Sequence, residues 1–330
     1  MRVTLLSSSA LLLSAGAWAQ DAPVSYEVSF PNAVHHEAEV AVTFRELEDA
    51  PLTVRMSRAS PGRYAIHEFA KNVYALRAVD AAGEPLTVTQ DDPYSWTVPD
   101  HGGEVTVFYT LYGDRADGTY SQIDTTHAHL NMPATLLWAE GLEDRPAEIS
   151  FEPVSPDWKA ATQLVPGDAP MRFTAPDLQY LMDSPTELSD FDLREWTIGE
   201  GESAQTIRLA VHHEGTEEDV DSFAEMAKKV VDEQIALFGE APRFDHGTYT
   251  FIAGYLPYVS GDGMEHRNST VITSSSGLYE AEFDQIGTLS HEFIHAWNVE
   301  RLRPAELQPF DFTKANPTTS LWFAEGFTSY

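Results

Sequence analysis

The segment His291-Glu292-Phe293-Ile294-His295 constrains the fold more than any other part of this sequence. Its two imidazoles are four residues apart, so on an α-helix they lie on one face about one turn apart, where both can reach the same metal ion. Glu292 lies roughly 100° around the helix from His291, where it faces a water beside the metal rather than the metal itself. The pattern therefore predicts a helix that presents two metal ligands and an acid to a cleft.

The residues around this motif decide between a metal site and a polar helix surface with two solvated histidines. Apolar side chains recur at helical spacing on the face opposite the histidines, at Ile286, Leu289, Phe293 and Trp297. One face can thus pack into a core while the other lines a cleft, and Pro304 follows where the helix should have ended. This two-faced arrangement favours the metal site, and H-E-x-x-H on a helix is typical of zinc metalloproteases.

A catalytic zinc site usually has three protein ligands and an open fourth position, so one more donor must follow His295. The chain contains no cysteine, which leaves histidine and carboxylate as donors. The carboxylates considered are Glu300 and Glu306, which are close to the helix end, Asp311 in a Pro/Phe-rich loop, and Glu325. Glu325 is favoured because it lies in the apolar run 321–327, after a predicted helix start at 317–320, and an unpaired carboxylate is costly to bury there. The alternative is a surface glutamate on a short amphipathic helix.

Longer segments resemble a known family. These segments are 60–64 (SPGRY), 67–74 (HEFAKNVY), 127–131 (HAHLN), 291–304 (HEFIHAWNVERLRP) and 321–330 (LWFAEGFTSY). They are similar to the glycyl aminopeptidase family of metallopeptidases, zincins whose third ligand is a glutamate on a second helix and whose members typically carry a C-terminal PDZ domain. The resemblance implies that His291, His295 and Glu325 bind Zn²⁺, that Glu292 is the general base, and that the substrates are peptides with a small N-terminal residue such as Gly or Ala.

A second motif bears on the choice between exopeptidase and endopeptidase. Gly263, Met264 and Glu265 precede a predicted strand at 269–273 and resemble the Gly-x-Met-Glu-Asn segment of neighbouring aminopeptidase families, with His266 in the place of Asn. The resemblance implies that the glycine lets a substrate backbone lie against the sheet edge and that Glu265 binds the free α-amino group. The alternative is a turn with a surface glutamate.

Composition and the N-terminal segment indicate which partners and which cellular location to expect. A formal charge of −32 argues against nucleic acid or an anionic membrane as a partner, because both require basic patches. Residues 1–19 are predicted to be a cleavable signal peptide, with a positive start, a short apolar stretch and Ala17-Trp18-Ala19 as the cleavage site. We therefore expect a bacterial protein in the periplasm or secreted, with no membrane span after cleavage; the oligomeric state is not predicted.

The predicted fold class is α+β in two domains. Short runs rich in β-branched and aromatic residues, at 26–30, 37–44, 52–56, 86–89 and 105–111, predict an antiparallel β-sandwich-like domain over 20–185. Residues 186–330, with a helix at 216–238, a strand at 249–253 and the metal motif, are expected to form a thermolysin-like zincin catalytic domain, as the resemblance implies. This domain is expected to be truncated, without the C-terminal helices that supply an oxyanion-stabilising side chain and without the PDZ domain, so we expect weak zinc binding and slow turnover.

Other interpretations remain open at this point. His127 and His129 form an H-x-H pair on one face of a strand, which can open a metal site in hydrolases of other folds or form a hydrogen-bonding pair at a domain interface. The chain could also be a noncatalytic peptide- or protein-binding module on a zincin scaffold, or a zinc endopeptidase. The intact Glu292 favours an enzyme, since a scaffold does not need a base there.

Overall fold

The computed structural model describes residues 22–279 and 283–329. Strands dominate this part of the chain, and its helices are few. The predicted signal peptide, residues 1–19, lies outside the described residues. Among the helices that are described, none is both long and apolar enough to cross a lipid bilayer.

The secondary structure elements follow one another in this order. The strands are β1 (Val24–Asn32), β2 (Glu37–Phe44), β3 (Leu52–Arg55), β4 (Val73–Val79), β5 (Pro85–Leu86), β6 (Thr89–Asp92), β7 (Ser95–Val98), β8 (Val105–Tyr112), β9 (Gln122–Ile123), β10 (His127–Leu130), β11 (Trp138–Ala139), β12 (Ala147–Glu152), β13 (Lys159–Thr162), β14 (Val165–Pro166), β15 (Arg172–Ala175), β16 (Thr186–Ser189), β17 (Asp192–Ile198), β18 (Gln205–His213), β19 (Thr248–Tyr255), β20 (Asp262–Glu265) and β21 (Ser269–Ser274). The α-helices are α1 (Met132–Thr135), α2 (Leu178–Met182), α3 (Glu217–Phe238), α4 (Ile286–Ile294) and α5 (Leu321–Ala324).

Three sheets built from β1 to β16 surround one hydrophobic core. An eight-stranded sheet has the order β14-β15-β12-β1-β2-β8-β4-β5, and two four-stranded sheets have the orders β11-β3-β7-β6 (the β3 sheet) and β13-β16-β10-β9 (the β10 sheet). Alternate residues of β2, such as Val40 and Val42, are buried, as expected for a strand with one face on a core. Val54 of the β3 sheet and Leu130 of the β10 sheet belong to the same buried cluster. The sheets therefore pack face to face, as a sandwich does.

The expected antiparallel pattern is wrong for one pair of strands. β1 pairs with β12 in parallel, from Val24 opposite Ala147 to Ser29 opposite Glu152. Its other edge pairs with β2 in the antiparallel sense that a short connection permits. The predicted strand at 86–89 is also broken, because β5 ends at Leu86 and β6 starts at Thr89. Neither the parallel pairing nor the break can be predicted from the alternation of apolar residues. That alternation indicates which face of a strand is buried, but not which strands pair with it.

The remaining strands form a five-stranded sheet, the β19 sheet, with the order β17-β18-β19-β21-β20. β18, β19 and β21 are parallel, whereas β20 is an antiparallel strand at the edge. One face of this sheet packs on α3 and α4, where Phe223 and Phe293 are fully buried. The other face places Ile252 and Val271 against Ala161 of β13. The β19 sheet therefore lies between the two helices and the β10 sheet.

Helix α3 confirms the prediction from its sequence pattern. Thr216 accepts a hydrogen bond from the Asp219 amide, and the Asp219 side chain bonds back to the Thr216 amide. This reciprocal cap satisfies two of the free amides at the helix start. The helix ends at Phe238, and Gly239 follows with a φ of 83°, a left-handed conformation that glycine adopts without strain. Strand β16, just past the expected domain boundary at residues 185 and 186, pairs with β10 and β13.

Candidate metal centre

Helix α4 and the residue directly after it carry the two histidines of the motif at the edge of the β19 sheet. Leu289 and Phe293 are fully buried on its core side, as the apolar spacing predicted. The helix is shorter than expected because it ends at Ile294, and the chain continues in hydrogen-bonded turns. His291 and His295 nevertheless lie one turn apart and face the same point.

Three side chains converge there with the spacing of a zinc site. The Nε2 atoms of His291 and His295 are 3.3 Å apart, and Glu325 Oε2 is 3.3 Å from the first and 3.7 Å from the second. Ligands about 2.0–2.2 Å from a tetrahedral zinc ion are separated by about 3.3–3.5 Å, so the donor atoms have the separation that such an ion requires. Their side chains are 30%, 1% and 37% exposed, respectively, which leaves one side of the centre open. The residues present therefore fit a zinc ion with a free coordination position.

The hydrogen bond made by the His295 ring supports the same conclusion. Its Nδ1 lies 2.8 Å from the backbone oxygen of Asn298. A carbonyl oxygen can only accept, so Nδ1 carries the proton and the lone pair of the neutral ring is on Nε2. A histidine that binds a metal is usually oriented by such a hydrogen bond from its other nitrogen.

Glu325 is positioned by a very short helix. α5 has four residues, fewer than expected, and Glu325 comes directly after it. The Asn298 side chain donates to the backbone oxygens of Phe323 (3.1 Å) and Ala324 (3.4 Å), which ties this turn to the turns that follow α4. The hydrogen bond from His291, opposed by burial, holds the pKa of Glu325 below its ordinary value.

The other carboxylates considered as a third ligand are engaged elsewhere. Glu300 is buried and pairs with Arg303 at 3.2 and 3.3 Å. Asp311 pairs with Lys314 at 2.8 Å. Glu306 accepts a hydrogen bond from Thr318 at 2.7 Å. Of the four candidates, the structure brings only Glu325 to the two histidines.

Glu292 lies beside the centre in a nearly closed space. It is 5% exposed, and its Oε2 atom has no hydrogen-bond partner among the described residues. Burial, followed by the negative charges of Glu265 and Glu325, raises the pKa of Glu292 well above its ordinary value. A buried acid with a free oxygen next to a cation site is suited to exchange a proton with a bound molecule.

Gly263 explains how Glu292 fits. A Cβ atom on Gly263 would lie 2.1 Å from Glu292 Oε1, 2.8 Å from its Cδ and 2.9 Å from Thr288 Cγ2. The family resemblance implies that this glycine lets a substrate backbone approach the sheet edge. The structure gives a further reason for a glycine, since the missing side chain makes room for the acid on α4, and the substrate-binding role of Gly263 stays a prediction.

Glu265 and Met264, neighbours on β20, have different surroundings. Oxygens of Glu265 and Glu292 and a nitrogen of His295 lie within 4.8 Å of one another, in a second group of donors able to share a cation. Met264 is fully buried and packs with Ile252 and Val271. The side chain of Met264 thus packs in the core, and its substrate-binding role stays a prediction.

Comparison with known proteins assigns the family. Residues 25–190, half of the chain, match the Peptidase M61 N-terminal domain, and residues 284–330 match M61 glycyl aminopeptidase. The chain belongs to the M61 peptidase family. No protein among those with curated descriptions matches the sequence.

Solved structures resemble the M61 chain over most of its length. An aminopeptidase N family protein from Idiomarina loihiensis shares 26% identity at a TM-score of 0.78, covering 93% of this chain and 53% of the other. The M61 chain thus spans about half the length of that protein. An M1 zinc metallopeptidase from Deinococcus radiodurans matches at 14% identity and a TM-score of 0.49, covering 94% of this chain and 68% of the other.

The H-x-H pair has a different environment from the M61 metal motif. His127 and His129 both reach Glu187 of β16, with nitrogen–oxygen distances of 3.1 and 3.4 Å. The His127 ring also stacks on His212 of β18, with ring centroids 4.8 Å apart. Within residues 22–279 and 283–329, this pair does not belong to a group of three donors close enough to share an ion. The two histidines instead form a buried ionic cluster between the β10 and β19 sheets.

Two residues at the site were missed by the sequence analysis. Asn298 orients one histidine through its backbone and holds α5 through its side chain, and an asparagine shortly after a motif gives no signal of either contact. Arg63 lies in a segment that carried the family resemblance, but nothing in the pattern linked it to β20, which is distant in the sequence. Both roles depend on tertiary contacts.

Proposed function

We propose that this chain is the metal-binding part of a zinc-dependent aminopeptidase that removes small N-terminal residues, such as Gly or Ala, from peptides. The observation that carries the proposal is the convergence of His291, His295 and Glu325 at ligand spacing, with Glu292 beside them. Membership of the M61 family supports a peptidase. The preference for small residues rests on the family resemblance.

The chemistry divides between the ion and the protein. A zinc ion held by the three ligands supplies Lewis-acid activation of water and of the scissile carbonyl. Glu292 accepts the proton of the attacking water and returns it to the departing amine, which cannot leave as an anion. Asn298 keeps the lone pair of His295 directed at the centre throughout.

Glu265 would make the enzyme an exopeptidase. Its carboxylate is buried next to Glu292, where it can pair with the α-ammonium group of a substrate. An internal peptide bond offers no such group, so an endopeptidase substrate would leave this buried acid unpaired. This contrast favours aminopeptidase action over endopeptidase action.

The architecture is part of the same proposal. We propose that the chain has two units that divide after β16, an N-terminal β unit followed by a catalytic unit of the thermolysin-like zincin type. The pairing of β16 with β10 and β13 supports this division. Export to the periplasm or beyond is proposed from the sequence of residues 1–19.

The test combines metal analysis with hydrolysis of glycyl and alanyl chromogenic amides. The purified protein is expected to contain one zinc ion per chain and to lose hydrolysis when a chelator removes it. Glu292→Gln should keep the zinc and lower kcat by about 10²–10⁴-fold, because the proton acceptor is lost. Glu225→Gln, a change on the exposed face of α3, is the matched control and should retain activity.

Four outcomes contradict parts of the proposal. A protein that binds no zinc is not a metallopeptidase. Full activity of Glu292→Gln would show that Glu292 is not the general base. A protein that binds zinc but hydrolyses neither amide would be a noncatalytic binding module. Equal hydrolysis of free and N-acetylated alanyl substrates would identify an endopeptidase.

A further inference from the structure

A turn from the N-terminal unit reaches the candidate site. Ser60, Pro61, Gly62 and Arg63 form a β-turn in which the Arg63 amide donates to the Ser60 oxygen at 3.0 Å. Gly62 has a φ of 75°, so the turn is of the type that requires glycine at its third position. Asn131 donates to Ser60 Oγ at 3.1 Å and to the Thr119 oxygen at 2.6 Å, which fixes the turn within the N-terminal unit.

Gly62 packs directly on the proposed amine anchor. A Cβ atom on Gly62 would lie 2.9 Å from Glu265 Oε2 and 3.0 Å from Met264 Cγ. The backbone of the turn therefore fills the space on that side of the Glu265 carboxylate. A peptide that continued past its α-amino group in this direction would meet the turn.

Arg63 fastens the turn to β20. Its Nε donates to Thr119 Oγ1 at 2.7 Å, its Nη1 donates to the Gly263 oxygen at 3.3 Å, and its Nη2 pairs with Asp262. Asp262 also accepts from the Gly118 amide at 3.0 Å. A guanidinium with three separate partners fixes both the position and the orientation of what it holds.

The same contacts occupy backbone hydrogen-bonding groups at the β20 edge of the β19 sheet. The Gly263 amide donates to the Asp262 side chain at 3.0 Å, and its oxygen accepts from Arg63. Both backbone groups of Gly263 are thus satisfied although β20 is an edge strand. An extended peptide cannot add to the sheet at this residue without displacing Arg63.

We propose that the Ser60–Arg63 turn ends the cleft immediately beyond Glu265, and that Arg63 is the positioning residue that clamps the turn to β20. The turn then restricts the site to the first residue of a peptide, and it keeps Glu265 where an α-ammonium group can bind. This inference rests on the proposed aminopeptidase function.

The kinetic test compares free and N-acetylated alanyl chromogenic amides. Arg63→Gln is expected to raise KM for the free amide about ten- to a hundredfold with a smaller change in kcat, because charge-assisted contacts that hold the anchor are lost. The preference for the free over the N-acetylated substrate should fall by a similar factor. Arg63→Lys, which keeps the charge but not the forked contacts, should restore part of the preference.

Matched variants separate this role from general stability. Arg115→Gln is the control, since Arg115 pairs with Asp117 and lies over the Tyr120 ring within its own loop. It should change neither KM nor the preference. If Arg63→Gln does not fold, Thr119→Val removes one partner of the guanidinium and should raise KM about two- to tenfold.

Hydrogen exchange of the β20 amides gives a readout that does not need activity. Exchange of residues 262–265 should be at least about tenfold faster in Arg63→Gln than in wild type, and unchanged in Arg115→Gln. If Arg63→Gln leaves the exchange of residues 262–265 unchanged, or leaves the preference of a selective enzyme for the free substrate unchanged, the inference about the turn is wrong. The aminopeptidase proposal is not affected by either result. A wild-type protein that hydrolyses both substrates equally overturns the aminopeptidase proposal, whereas the exchange experiment still reports on the clamp.

Discussion

At residue 263 the chain has room for a hydrogen atom and for nothing larger. The position of a methyl group there is already occupied by the carboxylate of Glu292. A proton acceptor works only within hydrogen-bond reach of the group it serves, so its placement matters as much as its pKa. The absence of a side chain at Gly263 therefore helps to position the Glu292 carboxylate.

Gly263→Ala is expected to displace Glu292 and to lower kcat for an alanyl chromogenic amide about a hundredfold, as a displacement of about 1 Å can do. Zinc content should not change, because Glu292 is not one of the three ligands. Gly261→Ala is the control, since the nearest atom to its added Cβ would be the Thr273 oxygen at 3.9 Å. Steady-state kinetics and metal analysis of the two variants measure kcat and zinc content. A fully active Gly263→Ala enzyme would show that Gly263 does not position Glu292.

At the scale of elements, the site depends on a helix too short to be stable by itself. α5 is a single turn, and a helix of that length forms only when tertiary contacts support it. The Asn298 side chain supplies such contacts, since it bonds to two carbonyl oxygens just before Glu325. The third ligand is therefore positioned by the turns that follow α4.

Asn298→Ala is expected to weaken zinc binding about ten- to a hundredfold, the effect usual for residues that orient metal ligands. The backbone contact to His295 remains in this variant, so the loss is assigned to Glu325. Competition with a chromogenic chelator measures the affinity. Asn316→Ala is the control because Asn316 bonds within its own loop to Asp311 and Lys314, and an equal loss in both variants would refute the specific role of Asn298.

The elements that could be predicted from the sequence are those specified by local patterns. β2 and α3 match the prediction closely because one alternates strictly and the other has both a capping box and a C-terminal glycine. α4 and the convergence of its histidines followed from spacing. The parallel partner of β1, the single turn of α5 and the contacts of Arg63 were missed, since each is fixed by residues far away in the sequence.

At the scale of the whole molecule, a buried ionic cluster joins the N-terminal sheets to the β19 sheet. Glu187 is buried between His127 and His129, and His127 stacks on His212. Burial opposes the charge on His127, but Glu187, and then Asp124, raise its pKa above the ordinary 6.5. Burial likewise opposes the charge on Glu187, but His127 holds the pKa of Glu187 well below its ordinary value.

This cluster predicts a stability that depends on pH. The raised pKa of His127 gives stability that is fully present below 6.5 and is lost as pH rises through the folded-state value. The depressed pKa of Glu187 gives stability present above 4.5 and lost as pH falls through its folded-state value. The two pKa shifts describe the same interaction between His127 and Glu187. This interaction therefore stabilises the fold most between about pH 5 and 6.5.

Glu187→Gln should lower the free energy of unfolding by about 3 kcal/mol near pH 5.5, and the difference from wild type should shrink as pH rises past the His127 pKa. Urea denaturation at several pH values measures it. Glu195→Gln, which removes an exposed partner of Arg208, is the control and should cost less than about 1 kcal/mol at each pH. A difference between Glu187→Gln and wild type that does not vary with pH would argue against the charged pair.

The parallel pairing of β1 with β12 also has a consequence for biosynthesis. A nascent chain can pair β1 with β2 as soon as both have left the ribosome, but the other edge of β1 has no partner until residues 147–152 emerge. An unpaired edge is a template for strands of other chains. The long interval between the two strands is thus the period in which the growing polypeptide is most exposed to aggregation, and in which a chaperone would be of most use.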